Sequence, residues 1–198
     1  MLSGQFTRSP RRAVSLLAAL LAASMFTAAQ ADSALEPCAD AEALEVALQR
    51  LNEVRQLGDA PCVANKGALP SLAWEARLAG SAQAQATDLA LRDLLSHFDA
   101  RQRGLGARLR GAGYAAASAG ENLAAGQTDF DDTLQAWLAS PTHCANLMQP
   151  DFRDAGLACV RRPGSRYERF WVVHLGAPVR DGTRSAALSL SPAVFAAR

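Results

Sequence analysis

Between residues 40 and 58 the apolar side chains Leu44, Ala47, Leu48, Leu51 and Val54 recur at helical spacing, with Glu and Arg between them. That spacing predicts an amphipathic helix, and Gly58 supplies its stop. After GALPSLAWEARL, with its proline, Leu78, Ala82, Ala86 and Leu89 mark a second, alanine-rich helix that ends near Leu95. Alanine on a buried face lets another layer approach closely. A short third helix is predicted from Leu105 to Ala112, halted by Gly113. Thr128 with Asp131 fits a capping box, and Phe130, Leu134, Trp137 and Leu138 follow on one helical face. Ser140 then reads as the N-cap, and Pro141 as the first residue, of a fifth helix running through about Met148.

After Pro150 the texture changes. AGLACVRR and YERFWVVHLG, separated by Pro163-Gly164-Ser165, are two apolar runs of strand length around a turn and predict an antiparallel hairpin. In the second run Trp171, Val173 and Leu175 share one parity, while Phe170, Val172 and His174 share the other. Both faces of this strand are therefore expected to be covered. Helices early and a two-sided hairpin late point to a layered α+β domain. Trp74, Trp137 and Trp171 are all expected to be largely buried. The stretch AAASAGENLAAGQ, residues 115–127, fits neither period, and it carries a single carboxylate, Glu121. A carboxylate among small apolar residues is costly unless it meets a cation or several donors.

Composition adds a location. Arg8, Arg11 and Arg12, the apolar run Ala13–Phe26 and the small-residue site Ala29-Gln30-Ala31 read as a secretory leader spanning residues 1–31, too short to cross a membrane. A single domain over residues 40–178 and a weakly structured tail over residues 179–198 complete the expected organisation. Without Arg8, Arg11 and Arg12, the 20 basic residues fall to 17 against 19 acids, a net charge of −2. Nothing in that balance selects for nucleic acid or an anionic membrane. The mature chain is expected to be a monomer without a transmembrane segment, secreted or periplasmic. Its four cysteines, Cys38, Cys62, Cys144 and Cys159, form an even set with no C-x-x-C, as expected for two disulfides in an exported protein. Proximity in sequence pairs Cys38 with Cys62 and Cys144 with Cys159, one of three connectivities.

The only histidines are His97, His143 and His174. His97 in LLSHFD and His143 in SPTHCANLM both fall near predicted helix ends, where side chains can converge on a cleft. LNEVR, LAWEARLAGSAQAQATDLA, SHFDARQRGLGARLRGAGY, AGENLAAG, AWLASPTHCANLMQPDFRDAGLAC and FWVVHLG follow one another in order from Leu51 to Leu175. Together they resemble the CAP superfamily of cysteine-rich secretory, antigen 5 and pathogenesis-related class 1 proteins. The form W-x-x-S-P-x-H-x-x-N-L is closest to the bacterial SCP-like branch.

That resemblance implies a three-layer α-β-α sandwich, with a small antiparallel sheet between helices and an open cleft. It implies a cleft that many members line with two histidines and two acids, a tetrad that in some holds a divalent metal such as zinc, and His97, Glu121 of the G-E-N motif and His143 match three of its positions. The family's second acid falls at Ser140 here, so the tetrad is incomplete. Thr142-His143-Cys144 replaces the usual Gly-His-Arg, consistent with a disulfide at Cys144. His174 replaces a usual glutamine and reads as a satisfied core residue, while the Asn122 amide reads as structural. Glu121 is expected to meet both His97 and His143 and to raise their pKa values.

Three readings remain, one of them structural, in which His97, Glu121 and His143 merely pin loops to the fold. The first is a non-enzymatic binding module for a small hydrophobic ligand, a peptide or a cell-envelope component, requiring no cofactor. The alternative is a metal-dependent hydrolase using His97, Glu121 and His143, since two histidines and a carboxylate can hold a catalytic zinc.

Overall fold

The computed structural model describes residues 34–62 and 67–179, so the leader expected over residues 1–31 and nearly all of the expected tail lie outside the described residues. In chain order the elements are β1 Glu36–Pro37, α1 Ala41–Leu57, β2 Ala73–Trp74, α2 Ala76–Arg92, α3 Leu105–Gly111, β3 Ala116–Ala125, α4 Phe130–Ala139, α5 Pro141–Leu147, β4 Asp154–Arg161 and β5 Arg169–Pro178. The five helices follow the apolar spacing closely. Asp40 caps α1 by accepting from the Ala43 amide, and Gly58 ends it at φ 62°. The α4 cap is shifted by one residue from the expected capping box. Asp129, not Thr128, accepts from the Asp132 amide, because its carboxylate is the acceptor in reach of that N–H.

β4 and β5 form the expected antiparallel hairpin. The 115–127 stretch, which has no clear period, becomes β3 and pairs antiparallel with β5, placing Glu121 opposite His174. The sheet order is β1-β4-β5-β3. β1 adds antiparallel at one end of the outer edge of β4, and β2 adds parallel at the other.

Opposite parities of the central strands build two cores. On one face Leu157, Trp171, Val173 and Leu175 pack with Leu48, Leu51, Leu134 and Trp137 from α1 and α4. On the other, Leu123, Val160, Phe170 and Val172 pack with Ala82, Ala86, Leu89 and Ala90 from α2. The result is the expected α-β-α sandwich.

The alanine face of α2 is needed because the helix almost touches the sheet. A Cβ placed at Gly156 of β4 would lie 2.0 Å from the Ala79 nitrogen and 2.4 Å from the Leu78 carbonyl carbon. Both are backbone atoms, which cannot rotate away. Gly156→Ala is therefore expected to destabilise the protein by roughly 1–3 kcal/mol through overpacking, read as a lowered urea midpoint. An unchanged midpoint would mean that α2 can lift off the sheet at no cost.

Two expectations are corrected. The bridges are Cys38–Cys159 and Cys62–Cys144, with Cα separations of 5.1 and 5.8 Å, rather than Cys38–Cys62 and Cys144–Cys159. β1 lies along β4, and the Cys38 amide donates to the Cys159 carbonyl at 3.1 Å, so the cysteine nearest in space is 121 residues away. Trp74 is 41% exposed while Trp137 and Trp171 are buried. It lies on the two-residue edge strand β2, outside both cores.

Candidate functional site around Glu121

Adjacent residues of β3 face opposite layers. Glu121 shares the parity of Leu123 and points towards α2 and α3, whereas Asn122 shares the parity of Ala124 and points towards α5. β3 is the edge strand beside β5, so groups from both helical layers reach it from the open side.

The segment that brings His97 to Glu121 is fixed by its backbone. α2 ends at Asp93, whose left-handed φ of 53° turns the chain while its amide caps the Leu89 and Ala90 carbonyls. Gln85 donates to the Ser96 carbonyl at 2.8 Å. Asp99, almost wholly buried, accepts from the Arg101 and Arg103 amides and from the Arg103 side chain at 2.8–2.9 Å. Arg108 of α3, also buried, donates to the carbonyls of His97 and Arg103, both at 2.8 Å. His97 is thus held at backbone level from α2, from α3 and from its own loop.

Glu121 itself is 5% exposed and fully engaged. His97 Nδ1 lies 2.7 Å from Oε1, and His174 Nε2 lies 2.8 Å from Oε2. Arg108 donates its second terminal nitrogen to the same Oε2. Burial alone would raise the carboxyl pKa. The hydrogen bonds from His174 and His97, with the positive charge of Arg108, outweigh it and lower the pKa to about 2. His97 is raised by its hydrogen bond to Glu121, against partial burial. His174, wholly inside, is lowered by burial despite the same anion. A neutral His174 still serves, because its Nε2–H is the donor. The carboxylate requires that tautomer. Its Nδ1 approaches the Leu78 backbone without completing a hydrogen bond.

His143 is placed differently from expectation. Its ring makes no hydrogen bond or ion pair with Glu121 among the described residues; burial and the nearby charge of His97 lower its pKa rather than raise it. Its carbonyl is what the strand holds. Asn122 donates to it at 2.9 Å, and Asn146 donates to the Asn122 oxygen at 3.0 Å. Asn122 thus has the structural role expected of it, and α5 is fixed to β3 by amides. The third partner of Glu121 is His174, supplied by the register of β3 on β5.

The set His97, Glu121, His143 does not fit a divalent ion. Both carboxylate oxygens are taken, one of them by a guanidinium whose fixed positive charge opposes a second cation in the same cluster. Among the described residues no group of three or more His, Cys, Asp or Glu side chains is arranged to hold a metal.

Sequence reasoning missed Arg108, although the charge of Glu121 implied that a cation was needed. It also missed Arg55 in LNEVR, which is wholly buried and donates to the carbonyls of Pro70, Leu147 and Gln149 at 2.6–3.2 Å. Burial lowers the Arg55 pKa to about 10. That residue ties α1 to the segment after α5 and so supports the wall that carries His143.

Helical layers on both faces of a small, largely antiparallel sheet, with an acid on the edge strand clasped by imidazoles and a guanidinium, define an α-β-α sandwich of the CAP type. The chain belongs to the cysteine-rich secretory protein family, CAP, whose profile it matches over residues 48–175. It is similar to a Bacillus anthracis extracellular protein containing an SCP domain, at 26% identity and TM-score 0.56 over 68% of this chain. The match spans 40% of that structure. An outer surface protein of Borrelia burgdorferi shares the fold at 20% identity and TM-score 0.60, covering 70% of this chain and 94% of its own. No curated protein sequence matches the chain.

Proposed function

We propose that the protein is an exported, non-enzymatic binding module that engages an anionic amphiphile, a lipid with an acidic head group, at the surface beside His97. The carrying observation is a rigid apolar shoulder. Four of the eight exposed large hydrophobic side chains among the described residues, Leu91, Leu94, Leu95 and Phe98, fall within eight consecutive positions, at 38–60% exposure. They are not on a loose loop. Leu94 N–H donates to the Leu89 carbonyl, Arg92 donates to the Phe98 carbonyl at 2.7 Å, and Gln85 and Arg108 hold the carbonyls between. The backbone is satisfied while the side chains stay in water, an arrangement that marks an interaction surface.

Charge favours an acidic partner. Arg162 donates to the Ala90 and Leu91 carbonyls, Arg166 lies beside Asp93, and the His97 ring is more than half exposed with a raised pKa. Apolar side chains with Arg162 and Arg166 at one flank complement an acidic head group on an acyl chain. Export is supported by the leader read at residues 1–31, by the two disulfides and by the extracellular or outer-surface relatives. Glu121, with every oxygen engaged, is poorly placed as a general base. This favours binding over hydrolysis.

Co-sedimentation with vesicles tests the reading. Wild type is expected to bind phosphatidylcholine vesicles carrying about 30% phosphatidylglycerol and to leave them as salt rises, since exposed charges are screened. The Leu95→Ser/Phe98→Ser variant should melt like wild type and lose most of the binding. Equal sedimentation of the two proteins, or binding indifferent to phosphatidylglycerol, overturns the proposal.

A further inference from the structure

The apolar shoulder has two flanks, and their charges differ. At the hairpin flank Arg162 uses its side chain on the Ala90 and Leu91 carbonyls, and Arg166 stands beside Asp93, with Glu168 in the same turn. The other flank is α3 with the loop that leads into it. Between Asp99 and Glu121 the chain carries four arginines, Arg101, Arg103, Arg108 and Arg110, and no acid. The two bounding carboxylates are buried and both are taken, Asp99 by Arg103 and Glu121 by Arg108. Asp88, which reaches the same loop through the Ala100 amide, is paired with Arg92. His97 shares Glu121 with Arg108 and His174, so that acid has no charge to spare. Two arginines of the four are left over. Arg101 and Arg110 are both exposed and make no ion pair among the described residues.

Both free guanidinium groups belong to the shoulder. Phe98 is its last apolar residue, and Arg101 follows in the same loop. A Cβ built on Gly104, the N-cap of α3, would lie 3.5 Å from the Phe98 ring. One built on Gly106 would lie 3.5 Å from a terminal nitrogen of Arg110, so that side chain runs back along α3 towards the end on which Phe98 rests. The start of the helix therefore brings an exposed aromatic ring and unanswered positive charge together within about one turn.

We propose that the α3 flank is the head-group site of the shoulder, with Arg101 and Arg110 as its specificity-determining residues, and that its preferred partner is a membrane lipid ending in a phosphate monoester, phosphatidate being the simplest. The inference rests on the lipid-binding reading above and narrows it. A phosphate monoester carries about −1.5 to −2 charges near pH 7, against the single charge of a diester such as phosphatidylglycerol. Two guanidinium groups without carboxylate partners match the dianion in charge, and each can bond two of its oxygens side by side. Phe98 beside them favours an anion that carries an acyl chain over a free one.

The test is co-sedimentation at pH 7.5 with phosphatidylcholine vesicles matched in charge, carrying about 15% phosphatidate in one arm and about 30% phosphatidylglycerol in the other. Wild type is expected to bind the phosphatidate vesicles at least about fivefold more tightly. Arg101→Gln/Arg110→Gln should bring the two arms within about twofold of each other. Neither arginine is ion-paired, so that variant should melt like wild type. Arg50→Gln/Arg77→Gln removes the same charge from exposed arginines that already have glutamate partners, and it should keep the preference. Equal binding of wild type to both vesicles, a preference that survives in Arg101→Gln/Arg110→Gln, or one that is lost in Arg50→Gln/Arg77→Gln overturns the head-group assignment; the shoulder itself still stands if Leu95→Ser/Phe98→Ser abolishes sedimentation. Binding of wild type to neither vesicle removes the shoulder reading, and the head-group assignment with it.

Discussion

Glu121→Gln is expected to remove about 3–5 kcal/mol of folding stability near neutral pH, the cost of stripping one partner from a buried ion pair. The amide keeps the shape and loses the charge. Arg108, with a side chain 3% exposed, would then face a neutral group, and the new amide N–H₂ would meet a donor from Arg108, His97 or His174. A second route gives a similar size. A carboxyl held at about 2 in the folded protein against 4.5 in its ordinary state corresponds to roughly 3 kcal/mol. Because the folded value is the lower one, this contribution is complete above about 4.5 and is lost as pH falls through about 2.

The histidines add a slope in the neutral range. His97 has a raised folded value, so the stability of its charged form is present below 6.5 and is lost as pH rises through that raised value. Glu121 also favours the protonated form of His174, although burial keeps that group below 6.5. Removing the anion lowers the pKa of both imidazoles. The gap between wild type and Glu121→Gln should therefore be wider near pH 5.5 than near pH 8. Urea unfolding at both pH values measures it, and equal midpoints for the two proteins would dissolve the cluster as described.

What the sequence made legible follows from how each element is stabilised. The helices could be read because their apolar residues recur against charged neighbours, and α1 and α4 also carry local caps. β4 and β5 could be read because Val, Trp and Phe fill both parities. β3 could not, since alanine and glycine carry no alternation. It is a strand only because β5 lies beside it, and that is a tertiary fact. The same gap hid the partners of Glu121. The G-E-N motif fixed the acid and SHFD fixed His97. His174, however, joins through strand register, and Arg108 through the folding of α3 against β3. His143 drew attention as a histidine near a helix end, yet it contributes its carbonyl, because α5 packs on the face that Asn122 rather than Glu121 looks towards.

The disulfides carry the second large effect, and their topology makes it calculable. Cys62–Cys144 is nested inside Cys38–Cys159, with separations of 82 and 121 residues. With the inner bridge closed, the outer one adds a loop of only about 40 residues, the stretches 38–62 and 144–159. On the chain-entropy account its removal then costs about 4 kcal/mol. Removing the inner bridge alone trades two loops for one long loop and comes to about the same figure. Loss of both should cost about 8 kcal/mol, comparable to the whole stability of a typical domain. Cys38→Ser/Cys159→Ser and Cys62→Ser/Cys144→Ser should therefore each remain folded with similarly lowered urea midpoints, while the quadruple variant should not fold. The pairing that proximity in sequence suggests would close two separate short loops instead, with no nesting and with the ends of the chain left untied. Peptide mapping without reductant decides between them: Cys38 should be recovered on the peptide of Cys159, and recovery with Cys62 would remove both β1 from the sheet edge and the nested account of stability.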